Sequence, residues 1–249
     1  MYMKSDNNSI ELSSIQRGVW IDQMTTPSIP KYNIGMVVYL EGKVDEKVFG
    51  KAIVSVCNKY DALRIILEKG DYEIPLQKAL PSIEPPIQFL DYSEVDDPES
   101  ESWSFINKQF SKNFNLLNSL LWETILIRVS INKFYWFSKF HHIICDGTGI
   151  AIFGHKVIAE YNCFLSNTNS SDRGISYLDC LKKEAAYYTS KRYENDCAFW
   201  AKKFIELPRS IFDSRSNSSE VNSCRSGLQK WSIDRKEFSS LMRSFDIKK

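Results

Sequence analysis

Residues 132–142 read N-K-F-Y-W-F-S-K-F-H-H. Phe134, Trp136 and Ser138 alternate with Tyr135, Phe137 and Lys139, the two-residue period of a β-strand with both faces occupied. The preceding run, Leu121 to Ser130, is also rich in β-formers, and the two meet across Ser130-Ile131-Asn132, which predicts a hairpin. Asn33 to Leu40 is another β-branched run, closed by a glycine and predicted as a strand. The segments 62–70 and 72–80 predict two more strands around a Lys69-Gly70-Asp71 turn.

Elsewhere the apolar spacing is helical. Leu12 to Met24 places Ile15, Val19, Trp20 and Ile21 on an amphipathic helix, with Ser13 or Ser14 as N-cap. Segment 44–60 offers Asp45 as a cap and the stripe Val48, Ala52, Val56 and Tyr60. Segment 96–114 opens on acidic residues, which a helix dipole favours. Segment 147–165 repeats apolar residues at Ile150, Phe153, Val157, Ile158 and Tyr161. After a polar loop over 166–174, residues 176–207 read as one long helical stretch. Seven serines between Ser210 and Ser226 mark an irregular connection, followed by a strand over 227–234 and a helix over 235–245. Helices interleave with strands and hairpins, so the expected fold class is α/β, an α+β sandwich with a mixed sheet covered by helices.

The chain has 249 residues, 43% hydrophobic and 13% aromatic, enough for a core in one large or two small domains. A net charge of +1 supplies no field to hold nucleic acid or acidic lipid, so neither is an expected partner. No apolar run is long enough to cross a bilayer, and the N-terminus lacks the apolar segment of a signal peptide. Six cysteines (Cys57, Cys145, Cys163, Cys180, Cys197 and Cys224) fall inside regular apolar patterns with no CxxC pair. That suits reduced thiols in a cytoplasmic protein.

Two of the three histidines, His141 and His142, stand together in F-H-H-I-I-C-D-G-T-G-I from Phe140. A strand end, an Asp-Gly pair and a helix start form a corner from which catalytic groups project. Histidine exchanges a proton at about pH 6.5, provided that its ring is held in place. Asp146 sits where it either reaches back across the turn or pins the loop by pairing with a basic residue. Gly147 permits backbone conformations other residues resist, and helix-initiating N–H groups behind it favour developing negative charge. A metal reading fails: His142 and Cys145 are three apart with His141 adjacent, but no second Cys/His cluster completes a set and His155 lies a helix away. Cys145 is a poor nucleophile, because the neighbouring Asp146 carboxylate raises its pKa. The absence of a P-loop, GxGxxG or GxSxG leaves no sign of ATP, NAD or serine hydrolysis.

The segment H-H-I-I-C-D-G resembles the HHxxxDG signature of nonribosomal peptide synthetase condensation domains, in the chloramphenicol acetyltransferase-like superfamily. L-S-S-I-Q-R-G-V-W from Leu12 is similar to their first motif, S-x-A-Q-x-R-hydrophobic-W: Ser14, Gln16 and Trp20 match in kind, and Arg17 is one place early. N-K-Y-D-A-L-R-I-I-L from Asn58 resembles the second motif, R-H-E-x-L-R-T-x-F. Leu63 and Arg64 match there, while Lys59, Tyr60, Asp61 and Ile65 depart from it. Y-L-D-C from Tyr177 is similar to the fourth, Y-x-D-F, and C-A-F-W-A-K-K-F-I-E-L-P from Cys197 looks like the segment that follows it.

The resemblance covers nearly the whole chain but only the front half of such a domain. It implies a chloramphenicol acetyltransferase-like first lobe over residues 1–175. Residues 176–249 would then hold the crossover helices, the serine-rich connection and the start of an incomplete second lobe. The later I-G-x-F-x-N-T motif is missing, and the start at Met1 places the domain at the N-terminus of its parent. The implied reaction joins a donor thioester to an acceptor amine, both held on the phosphopantetheine arms of peptidyl carrier proteins, with no cofactor or metal bound by the domain itself. A downstream adenylation domain would be a further partner. His142 maps onto the family's catalytic histidine. His141 and Asp146 map onto structural positions, with Arg64 as the ion-pair partner of Asp146, and Gly147 would lie beside the reacting centre. His141 argues against a cyclisation domain. An epimerisation domain, a coenzyme A-dependent acyltransferase and an inactive carrier-binding half-domain are the alternatives.

Overall fold

The computed structural model describes residues 9–70, 73–206 and 233–244. The chain divides into two units, Met1–Glu206 and Leu207–Lys249.

The first unit is organised by the predicted hairpin. Its strands, β6 (Trp122–Ser130) and β7 (Lys133–His141), pair antiparallel, with a register shift between Arg128 and Ser130. β2 (Asn33–Glu41) adds antiparallel to β7 on one side. β5 (Ile87–Asp91) adds parallel to β6 on the other, giving the order β2-β7-β6-β5 and the mixed sheet expected from sequence. A smaller antiparallel sheet has the order β1 (Ile10–Glu11), β4 (Leu76–Ala79), β3 (Ile65–Glu68). β1 and β5 carry no strand pattern in the sequence, being short and set beside polar or proline-rich segments. Asp71, in the predicted turn between β3 and β4, lies outside the described residues.

The large sheet is buried on both faces. On one, Phe134, Trp136 and Phe140 of β7 pack against Phe49, Ile53 and Val56 of α2 (Glu46–Lys59) and Phe153 and Val157 of α4 (Gly147–Leu165). On the other, Tyr135 and Phe137 pack with Ile106 of α3 (Pro98–Phe110). The alternation read along 134–139 therefore separates two cores, one on each face. Polar side chains between β6 and β7 pair with one another: the Trp136 indole N–H donates to Thr124 Oγ1 at 2.7 Å, and the Thr124 and Ser138 hydroxyls bond at 2.6 Å. A third cluster, with Leu12, Trp20, Ile65, Leu67, Leu121 and Ile143, lies under α1 (Ser14–Thr25).

The helix starts follow side-chain capping. Ser13 and Gln16 form a reciprocal capping box on α1, and Asp45 and Asp97 cap α2 and α3. The amphipathic reading of α1 is corrected. Ile15 and Ile21 are 79% and 53% exposed, and the buried face is Gln16, Trp20 and Gln23. Those amides are buried with partners: Gln23 Nε2 donates to the carbonyls of Thr26 and Ile29. The long helical stretch is also corrected to two helices, α5 (Tyr177–Tyr188) and α6 (Lys191–Lys203). They break at Ser190, whose hydroxyl accepts from the Tyr193 N–H at 3.2 Å and restarts the helix.

In the second unit, α7 (Arg235–Ser244) occupies the predicted helix and is capped by Asp234, whose Oδ1 accepts from Lys236 and Glu237. The serine-rich connection and the predicted strand over 227–234 lie outside the described residues, apart from Ile233 and Asp234, which are not in a strand. Among the described residues no helix is long and apolar enough to cross a membrane.

Candidate active site

β7 ends at His141, and the two histidines are unequal because His142 lies in the turn beyond the strand. His141 continues the Tyr135-Phe137-Lys139 face and is 3% exposed, whereas His142 is exposed. His141 lies between the rings of Tyr32 and Phe114, with centroids 5.9 and 6.2 Å away. Its Nδ1 accepts from the Ile143 N–H at 3.2 Å, which puts the ring proton on Nε2. Burial, with the nearby His142 charge as a second cause, pushes the His141 pKa down to about 4.

The backbone around His142 is pinned on each side. The His142 N–H donates to the Tyr32 carbonyl at 2.8 Å, the Ile144 N–H to the His141 carbonyl at 3.1 Å, and the His141 N–H to the Leu121 carbonyl at 2.8 Å. The His142 ring meets Tyr32 edge-on at 6.4 Å, and among the described residues it makes no side-chain hydrogen bond. It faces a cleft of about 720 Å³. The walls are mostly apolar: Ile15 and Val19 of α1, Ile152 and Phe153 of α4, and Ile175 before α5.

One wall carries a polar network. The Tyr60 hydroxyl donates to Asp172 Oδ2 at 2.7 Å and Lys156 Nζ sits 3.1 Å from the same oxygen, and all three residues line the cleft. The Tyr60 hydrogen bond, then Lys156 and the Gly174 N–H, hold the Asp172 carboxyl down at about 2. Asp61, which departs from the second motif, accepts from Ser176 Oγ and the Tyr177 N–H at 2.6 Å each and from the Leu178 N–H at 3.3 Å. It thereby ties the start of α5 to the end of α2. Tyr177 lines the cleft, and burial pushes its phenol up to about 12.

Asp146 is the N-cap of α4: its Oδ1 accepts from the Gly149 N–H at 2.7 Å. The expected Asp146–Arg64 pair is corrected. The Arg64 Nε donates to the Leu80 carbonyl at 2.9 Å, and Nη1 donates to the carbonyls of Cys57 and Asn58. Arg64 is thus the cation at the C-terminal end of α2, where the helix dipole favours it. Its guanidinium supports the wall below the cleft rather than the histidine loop. The conformational argument for Gly147 is also corrected, since its φ lies outside the left-handed region. A Cβ there would meet nothing within 4 Å. The restrictive glycine is Gly149, where a Cβ would stand 2.7 Å from Cys145 Sγ and 3.4 Å from Asp146 Oδ1. Its signal in the sequence is a glycine inside the first turn of a helix. Asp146→Ala removes the cap and is expected to cost about 1 kcal/mol, measured as a lower urea midpoint of the chain.

Cys145 lines the cleft, and burial followed by the Asp146 charge pushes its thiol up to about 12, out of nucleophile range. Cys57, Cys145, Cys163, Cys180 and Cys197 are free thiols; Cys224 lies outside the described residues. Among the described residues no group of three or more His, Cys, Asp or Glu side chains is placed to hold a metal.

Comparison with known proteins converges on one family. The condensation domain family model matches residues 6–245. Tyrocidine synthase 3 of Brevibacillus parabrevis is 28% identical over 198 residues, spanning 79% of this chain and 3% of that protein. A dimodular nonribosomal peptide synthase of Bacillus subtilis (strain 168) is 25% identical over 201 residues, spanning 80% of this chain and 8% of that protein. The starter condensation domain of rhizomide synthetase superposes with a TM-score of 0.77 at 24% identity, over 82% of this chain and 49% of that one. The first condensation domain of the calcium-dependent antibiotic synthetase gives 0.69 at 23%, over 80% and 48%. At these identities the superpositions establish the fold, a chloramphenicol acetyltransferase-like lobe. The chain spans about half the length of the solved domains and less than a tenth of the two synthases.

Proposed function

Because this chain belongs to the condensation domain family, we propose that it supplies the catalytic histidine of an amide-forming domain in a nonribosomal peptide synthetase. The observation that carries this reading is His142, an exposed imidazole on a pinned corner at the head of α4, facing an apolar cleft. In the proposed reaction the acceptor amine nitrogen attacks the carbonyl carbon of the donor thioester. The C–N bond forms, the C–S bond breaks, and the pantetheine sulfur of the donor carrier leaves as a thiol, taking up a proton equivalent to the one lost by the amine, while the donor acyl group stays on the acceptor nitrogen. A thioester is already activated, so holding the amine at bonding distance supplies much of the rate. His142 directs the amine and takes its proton. The apolar walls keep water from competing for the thioester.

The substrates on this reading are an acyl or aminoacyl donor and an amine acceptor, each on the phosphopantetheine arm of a peptidyl carrier protein, in the cytoplasm. A downstream adenylation domain would load the acceptor. The domain itself binds no cofactor. Residues 1–175 form the first lobe on this reading. Residues 176–249 hold the crossover helices, the serine-rich connection and the start of a second lobe on this reading. His141, Asp146 and Arg64 support the corner and wall, and the bare edge at Gly147 leaves room for substrate.

The test is single-turnover assay of the full-length synthetase polypeptide carrying this domain, with donor and acceptor carriers loaded. Amide-linked thioester on the acceptor carrier is the expected product, with the isolated 249-residue chain making little of it. Hydrolysis or α-carbon epimerisation in place of amide formation would overturn the reading.

A further inference from the structure

The carbonyl next to His142 is held by a side chain that is itself held by another. Gln16 Nε2 donates to the Ile143 carbonyl at 3.0 Å and to Gln77 Oε1 at 2.9 Å. Gln77 Nε2 donates back to Gln16 Oε1 at 2.7 Å and to the Glu11 carbonyl at 3.0 Å. Gln16 Oε1 also accepts the Ser13 N–H at 2.9 Å. Both donors and both acceptor sites of the Gln16 amide are therefore occupied, and its plane is fixed. A flipped Gln16 would set its oxygen against the Ile143 carbonyl oxygen.

Gln77 is 0% exposed on β4, beside Leu67 and within the smaller sheet. An apolar residue would fill that strand position without the desolvation cost of an amide. The amide's bonds go to β1 and to Gln16, and through Gln16 to the loop. Three successive peptide units at the corner are fixed: His142 N–H on Tyr32, Ile143 N–H on His141, and the third at both ends, its Ile144 N–H on the His141 carbonyl and its Ile143 carbonyl on Gln16. The Gln16 bond is the one of these made by a side chain outside the corner, and that side chain is in turn set by Gln77.

We propose that Gln77 is a positioning residue for His142, acting through Gln16 on the Ile143 carbonyl. This deepens the condensation reading, on which only its kinetic consequence rests. Releasing the Gln16 amide leaves the Ile143–Ile144 peptide held only by the Ile144 N–H bond to the His141 carbonyl, so the peptide can tilt and the His142 ring move with it. A displacement of this kind lowers turnover more than binding, because Gln77 itself does not line the cleft and the apolar walls of α1 and α4 stay in place.

The test uses Gln77→Met, which keeps the shape and deletes the amide. In the 249-residue chain, isotope-labelled histidine gives three imidazole signal sets. The variant is expected to move those of His142 and leave those of His155 in place. In the full-length polypeptide, kcat is expected to fall by about tenfold or more with KM within about twofold. Gln16→Leu should lower kcat similarly, and the double variant should be no slower than Gln16→Leu alone, the mark of residues acting in series. A Gln77→Met chain with a lower melting temperature but wild-type His142 signals and kcat overturns the proposal, leaving Gln77 a purely structural residue. So does a double variant whose losses multiply. Should Gln77→Met fail to fold, Gln77→Glu retains an acceptor for the Gln16 amide. Intermediate His142 shifts in that variant support the proposal, and wild-type shifts overturn it. A wild-type polypeptide that forms no amide sinks the condensation reading, while the histidine spectra still decide the coupling.

Discussion

His142→Ala in the full-length synthetase polypeptide is expected to lower single-turnover amide formation by about 100-fold or more, the range of a positioned proton-transfer group. Stability should change little, within about 0.5 kcal/mol, because the ring is exposed and its contact inside the unit is the edge of Tyr32. That separation is what makes the variant informative: a loss of turnover at an unchanged urea midpoint belongs to chemistry rather than to folding. Wild-type turnover would remove His142 from the mechanism. The pH–rate profile then divides its two roles. If the imidazole accepts the amine proton, the variant loses a limb of the profile; if it only directs the amine, the profile keeps its shape and drops uniformly.

The hairpin and the corner were legible because their signals are local. Alternation along β7 predicted a strand with side chains on two faces, and the end of the strand at His141 leaves His142 in the exposed turn beyond it. The caps at Ser13 and Asp45 were legible for the same reason: a side chain reaching three residues along its own chain needs no tertiary information. What escaped is set by partners distant in sequence. Arg64 lies 82 positions before Asp146, and no local pattern reports that its guanidinium turns to the end of α2 instead. Gln16 and Gln77 are 61 residues apart, and although Gln16 matches a motif in kind, nothing in the sequence joins it to Gln77; only the fold shows that they bury each other's amides. The exposed isoleucines of α1 misled in the opposite sense. Ile15 borders the cleft, so its apolar character belongs to the site rather than to the core.

His141 shows how the corner depends on pH. In the folded chain its pKa is about 4, against an ordinary value of 6.5, with burial as the leading cause. The unfolded chain therefore takes up the proton first as pH falls. Stability is whole above about pH 7, declines as pH drops below the unfolded value, and reaches its full loss below the folded value. Linkage puts the His141 share at about 2 kcal/mol lost by pH 5 and about 3 kcal/mol in the limit. His141→Asn keeps an acceptor for the Ile143 N–H and cannot titrate. It is expected to be less stable than wild type at pH 7, having lost the packing against Tyr32 and Phe114, but its urea-derived stability should fall less between pH 7 and pH 5. Other groups titrate in both proteins, so the difference between the two slopes isolates this ring. Parallel slopes would mean that His141 is not held neutral by burial. A shallower variant slope would tie mild acid directly to the residue next to His142: a proton forced onto Nδ1 ends its bond with the Ile143 N–H, so acid should disorder the catalytic corner before it unfolds the sheet.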